Sequence, residues 1–399
     1  MLRLTELVPE VERPALLLTI VLLALTVRVS YVASVGSPPR FSDSEEYLSY
    51  ARHLLEDGSF QNDDGEPARR TPGYPLFLSV FLVLFGSDLF PIRLCQAVLD
   101  TGSVLLLYGL LRRLRYRTGA LLAAALMSVY PTIVFMTGTI LTETLFIFFL
   151  LSSTFLLVNG LFGEGGAFST GAAGAVYGIT ALIHPSSLLL FPMLLLFVPF
   201  IDAAGRPYRK TATGLLLFLM VLMPWTVRNH LVIGTWSPGT TKPGQDLYEA
   251  VGPGATGGPR GETNFLPESV HHLSNAEQNR FLLRESVDVM IRDPIRTLRL
   301  AGIKFARTWT PLPNAPSYRG WPHVLILPLA YGLVLLLAVV GLGKVRCWTD
   351  LLLMILPVLY VALLHIVFIG SIRYRIPVMP FLIGLAGIGG TAFLGRTSS

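Results

Sequence analysis

Charge is scarce in this chain. Only 14% of its 399 residues are Asp, Glu, Lys or Arg, against 52% hydrophobic residues, and the mean hydropathy is +0.60. Such a balance excludes a soluble globular protein and indicates an integral membrane protein. Cysteine is nearly absent: Cys95 and Cys347 stand far apart, at or near apolar runs, which excludes a disulfide framework and a cysteine-based metal site. No HExxH, CxxC or P-loop pattern occurs, so any metal would rest on carboxylates such as Asp43 and Glu143. Lysine is confined to positions 210, 242, 304 and 344, and the net charge of +6 is carried by arginines scattered through short loops. That is a topology signal, not a nucleic-acid patch.

What is abundant is hydrocarbon. A helix needs roughly 20 apolar residues to cross a bilayer, and the runs at 14–35, 90–111, 119–137, 140–159, 169–184, 186–201, 211–229, 323–342, 350–370 and 374–394 are read as ten spans. The 169–184 and 186–201 segments are short halves joined at His184-Pro185. Tyr74 to Phe85 is too short and opens in a Pro-Gly-Tyr-Pro turn, which predicts a juxtamembrane helix. The leader charges Arg3, Glu6, Glu10, Glu12 and Arg13 lack the positive bias of a secretory signal, so the first helix is expected to be retained. With the N-terminus inside, Arg112, Arg113, Arg115, Arg117, Arg206, Arg209, Lys210, Lys344, Arg346 and Arg396 all fall on the inner side.

The expected fold is therefore an all-α polytopic membrane protein of about ten transmembrane helices. It divides into an N-terminal module (1–229, with an outer loop at 36–89), an outer loop at 230–322 and C-terminal helices (323–399). In the second loop, Gly234 to Pro267 is rich in Gly and Pro without a period and reads as an irregular cover. Ser274 to Glu277 is a capping box opening a helix to about Arg292, and Asp293-Pro294 starts another. That second helix sets Arg296, Arg299, Lys304 and Arg307 among apolar residues, which predicts a place on the membrane surface.

The ionisable residues gather on the expected outer side. Asp43 and Glu46 have capping-box spacing with a Gly58 stop, so Asp43 reads either as a helix cap or as a fixed catalytic carboxylate. Arg69 and Arg70 precede the rigid turn Thr71 to Pro75, which suits bidentate phosphate binding or a headgroup anchor. Glu143 begins a span, where the helix dipole favours it and where an acid is also a functional candidate. Arg28 and Asp100 lie within spans and must face the bundle interior; their pairing is left open. His184, Arg228, Arg373 and Arg375 stand at outer ends, each explicable by snorkelling, together a set of cations facing acids.

In order, Asp43 to Tyr47, Arg70 to Pro75, Leu141-Thr142-Glu143, Pro224 to Asn229 and Arg373 to Pro380 resemble the class C membrane glycosyltransferases, in particular the family 39-like relatives of protein O-mannosyltransferases and aminoarabinose transferases. The resemblance implies a class C bundle with juxtamembrane helices in the first outer loop. It implies transfer of a sugar from a polyprenyl-phosphate carrier to an acceptor glycan, lipid or protein at the outer face of a prokaryotic cytoplasmic membrane. Asp43 would be the base or acceptor-positioning acid, Arg70 with Arg69 the phosphate clamp, and Glu143 a support for the acceptor or a divalent cation. Glu46, Tyr47, Tyr74, His184, Arg228, Arg373 and Arg375 complete the expected substrate-binding set. Ser44 stands where the mannosyltransferases pair a second acid, which weakens the case for a metal. The competing readings are a flippase for a lipid-linked substrate and a non-catalytic carrier-binding protein; no internal repeat supports the former.

Overall fold

The computed structural model describes residues 14–39, 41–202, 206–260, 265–270 and 272–394. The leader charges Arg3 to Arg13 and the inner-side Arg396 lie outside these. The helices, in order, are α1 (Pro14–Ser34), α2 (Ser42–Glu56), α3 (Gly73–Phe85), α4 (Phe90–Arg113), α5 (Arg117–Ser128), α6 (Pro131–Thr137), α7 (Glu143–Phe162), α8 (Gly166–Ile183) and α9 (Leu190–Ile201). They continue as α10 (Pro207–Ile233), α11 (Pro243–Val251), α12 (Asn275–Arg292), α13 (Pro294–Trp309), α14 (Trp321–Leu342), α15 (Trp348–Val367), α16 (Ile372–Arg375) and α17 (Met379–Leu394). No strand occurs among the described residues.

Where the hydropathy pattern reads ten spans, eight helices among the described residues are long and apolar enough to cross a membrane, and α5 with α6 makes a ninth, bent by 57°. Pro185–Ile201 falls short of a span, as does α3, the expected juxtamembrane helix. The bend has a cause in the chain. Pro131 lacks the N–H that would continue α5, so the carbonyls at the end of α5 need other donors. Arg28, fully buried on α1, supplies them: its guanidinium donates to Ser128 O at 2.8 Å and Met127 O at 3.2 Å, while Nε pairs with Asp100 of α4 at 2.6 Å. Broken helices survive in a bilayer when the freed backbone is satisfied in this way. Replacing Asp100 with Ala would leave Arg28 charged and buried, and is expected to cost about 3 kcal/mol of stability, read as a lower thermal midpoint in detergent; replacing both residues by apolar ones should recover part of it.

The covering segment differs from its expected irregularity. It contains the nine-residue helix α11, whose Leu247, Ala250 and Val251 pack against Leu283, Met290, Phe368 and Ile369. Gly and Pro flank a helix too short for its periodicity to register. Beyond it, the Ser274–Glu277 capping box forms as expected, and Asp293 caps α13 through Arg296 N–H. Ile295, Leu298 and Phe305 leave α13 with an exposed apolar face.

Candidate active site

At one end of the bundle, α2, the turn before α3, α6, α16 and the covering segment enclose a cavity of about 1400 Å³. Helical spacing puts Asp43, Glu46 and Tyr47 on one face of α2, and all three line it. Asp43 is not the cap that its spacing allows: Phe41 precedes α2 and no side chain caps the helix. Its carboxylate is committed elsewhere.

Local contacts place each arginine. The Tyr50 hydroxyl receives Arg69 N–H at 3.1 Å and donates to Glu66 O at 2.7 Å, pinning the segment that carries Arg69 and Arg70. Gly73 follows because nothing larger fits, since a Cβ there would lie 2.7 Å from Leu182 O, at the end of α8. Arg373 sits on the four-residue α16, whose first turn is held by Asn314 Oδ1 accepting Ile372 N–H at 2.7 Å and by Ser371. Glu143, fully buried, opens α7 after a turn whose carbonyls of Thr137 and Thr139 receive the Gln96 amide.

These pieces meet in an alternating ladder. Arg69 Nε pairs with Glu46 Oε1 at 3.0 Å, and Arg70 Nε with Glu46 Oε2 at 2.7 Å. Arg70 also donates to Asp43 Oδ1, Arg373 Nη1 reaches Asp43 Oδ2 at 2.5 Å, and Arg373 Nε donates to Glu143. Arg70 lies 4.9 Å over the Tyr47 ring. Burial alone would push the Asp43 carboxyl up; Arg70 and then Arg373 outweigh it and hold the group well below the usual carboxylate range, with a further contribution from Lys242.

His184 also lines the cavity, stacked on Phe146 at 4.8 Å with Nδ1 2.6 Å from Ser186 Oγ. Burial, then the nearby Arg373, His365 and Arg70, lowers its pKa to about 3, so the ring is neutral at physiological pH. Six cationic side chains line the cavity (Arg69, Arg70, Lys242, Arg260, Arg307, Arg373) against four acids (Asp43, Glu46, Asp246, Glu249). Even with Glu143 behind Arg373, the balance favours an anion.

The remaining expected residues lie elsewhere. Tyr74 is buried behind Tyr47, edge-on at 5.1 Å, with its hydroxyl on Gln96 Oε1 at 3.0 Å. Arg228 donates to Pro67 O at 2.6 Å and Phe60 O at 2.9 Å, clamping the first loop onto α10. Arg375 donates to Thr310 O at 2.5 Å and Thr308 O at 3.1 Å beneath the Tyr331 ring. None of the three, nor Glu143, lines the cavity; Glu143 acts on it through Arg373. The pattern of cations at outer ends could not separate arginines aimed at a cavity from arginines that hold loop carbonyls.

The donor set does not fit a divalent ion at Asp43 and Glu143. The Arg373 guanidinium lies between the two carboxylates and, together with Arg70 on Asp43, neutralises the pair. Among the described residues, no group of three or more His, Cys, Asp or Glu side chains is arranged to hold a metal.

The family model of the dolichyl-phosphate-mannose-protein mannosyltransferases matches residues 69–227, a stretch that includes Arg69, Arg70, Glu143 and His184. Among solved structures, the oligosaccharyltransferase AglB from Archaeoglobus fulgidus, in complex with an inhibitory peptide and a dolichol-phosphate, is similar at TM-score 0.60 and 12% identity, over 96% of this chain and 50% of that one. The chain thus spans about half the length of that relative. ArnT from Cupriavidus metallidurans, bound to undecaprenyl phosphate, is similar at TM-score 0.49 and 13% identity, over 96% of this chain and 79% of that one. No curated protein matches the sequence.

Proposed function

We propose that this chain, a family 39-like class C membrane glycosyltransferase, transfers a sugar from a polyprenyl-phosphate carrier to an acceptor hydroxyl at the outer face of a cytoplasmic membrane, with inversion at the anomeric carbon. The observation that carries this reading is the shared carboxylate of Asp43, held between Arg70 and Arg373 at the wall of a net cationic cavity. A carrier phosphate needs the same guanidinium N–H groups that Asp43 now occupies. When the phosphate takes them, Asp43 loses the charges that depress its pKa and becomes a better proton acceptor.

The acceptor hydroxyl, losing its proton to Asp43, attacks the anomeric carbon while the bond to the phosphate oxygen breaks. Negative charge gathers on the departing polyprenyl phosphate, where Arg70 and Arg373 stabilise it. Val27, Tyr31, Phe135, Ile326 and Leu327 give the cavity an apolar flank suited to an isoprenoid chain. Arg69 and Glu46 hold Arg70 from behind.

The test is release of polyprenyl phosphate by purified protein in detergent, given polyprenyl-phosphate sugars and cell-envelope acceptors. Release with a product of inverted anomeric configuration is the expected result. A protein that releases none in detergent, yet moves the donor across vesicles, is a flippase; one that only binds the carrier is neither.

A further inference from the structure

The covering segment does more than close the cavity. Lys242, Gln245, Asp246 and Glu249 follow the i, i+3, i+4, i+7 spacing of one helix face, and all four line the cavity, while the opposite face of α11 packs on α12. Gln245 is 8% exposed and lines the cavity, and its amide, which keeps solvent access, makes no hydrogen bond among the described residues. An accessible amide with no protein partner is free to donate to and accept from a ligand. Glu249 is nearly as buried and uses Oε1 to accept Arg260 N–H at 2.7 Å. Asp246 pairs with Lys242 only loosely, at 3.5 Å.

The position of this edge is set from both sides. Thr241 N–H donates to Ala68 O at 2.9 Å, immediately before Arg69 and Arg70. Gly244 N–H donates to Asn279 Oδ1 at 2.6 Å, and a Cβ on Gly244 would fall 2.2 Å from Asn279 O, so α11 sits as close to α12 as a glycine allows. Further on, Gly370 N–H donates to Gly257 O at 2.8 Å, tying the same segment to the turn before Arg373. The polar edge is therefore held in register with both arginines that flank Asp43.

We infer that the cavity-facing edge of α11, chiefly Gln245, Asp246 and Glu249, is the specificity-determining surface that reads the hydroxyl pattern of the transferred sugar. This rests on the proposed carrier-linked donor: with the phosphate on Arg70 and Arg373, the sugar it carries is the part of the donor that meets the covering segment. Carboxylates and an amide are the groups that pair sugar hydroxyls in both donor and acceptor sense. A site built to hydrogen-bond a hydroxyl rejects the epimer that leaves its buried groups unpaired.

Binding of four probes to the full chain in detergent tests this: polyprenyl phosphate alone, and the same carrier linked to glucose, mannose or galactose, the last two each differing from glucose at one hydroxyl. The wild type is expected to hold one epimer at least about tenfold more tightly than the others. Gln245→Met and Asp246→Asn, both close in shape to the native side chains, should erase most of that preference and leave affinity for the bare carrier unchanged. Variants that keep the epimer preference, or that lose bare and sugar-linked carrier in equal proportion, overturn the inference. Equal wild-type affinity for all four probes overturns it too, while the carrier reading stands. A wild type that binds no probe removes the carrier reading and this inference together.

Discussion

Asp43→Asn is expected to lower kcat for sugar transfer by about 1,000-fold while the protein folds and still binds its carrier. The substitution keeps the shape and one acceptor oxygen but removes the charge and the capacity to take a proton. Binding of polyprenyl phosphate should tighten, because Arg70 and Arg373 no longer share their donors with a carboxylate. Single-turnover kinetics with labelled donor, beside a carrier titration, separates the two effects. The wild-type pH profile carries the same logic. In the carrier-free protein Asp43 lies below the usual carboxylate range, so it stays charged as pH falls through the ordinary value of 3.8. Its pairing contributes stability above that value and loses it only at lower pH. The acid limb of kcat/KM should therefore lie at lower pH than that of kcat, which reports the complex in which phosphate has drawn the arginines away. Wild-type turnover in Asp43→Asn would remove Asp43 from the chemistry.

The parts of this site that were legible in the sequence are those where charge interrupts hydrocarbon. Asp43, Arg69, Arg70 and Glu143 stand out because a membrane protein has few reasons to place ionisable groups beside its spans. The same signal does not reveal where a guanidinium points. Arg373 joins two carboxylates and Arg375, two residues on, holds two carbonyls, because a short turn such as α16 points residues two apart in different directions. Tyr74 sat in the conspicuous Pro-Gly-Tyr-Pro turn, yet that turn buries it against Gln96. The pairing of Arg28 with Asp100 depends on how α1, α4 and α5 pack, which hydropathy does not encode. The α11 edge was hidden for a further reason: Gln245, Asp246 and Glu249 in a nine-residue stretch behind Lys242 look like a loop until the far side of the helix is seen to have an apolar partner.

Arg373→Lys is the second large effect expected. Arginine reaches Asp43 with one edge of its fork and Glu143 with another, from elements far apart in sequence, and it is the only side chain among the described residues seen to touch both acids. Lysine carries the same charge on a single point and cannot hold two carboxylates in this fixed geometry. The variant should lose about 100-fold or more in kcat, because a preorganised donor to the leaving phosphate is gone, and carrier binding should weaken about tenfold as one of two guanidinium partners is lost. Full truncation is a poorer test, since Arg373→Ala leaves Glu143 charged, buried and alone, at a cost of about 3 kcal/mol or more in stability. Pairing Arg373→Met with Glu143→Gln removes both charges, so folding should recover while transfer does not. If that double variant folds and transfers at the wild-type rate, Arg373 serves only to neutralise Glu143; if it folds and is as slow as Arg373→Lys, the guanidinium acts on the phosphate, and Glu143 is there to aim it.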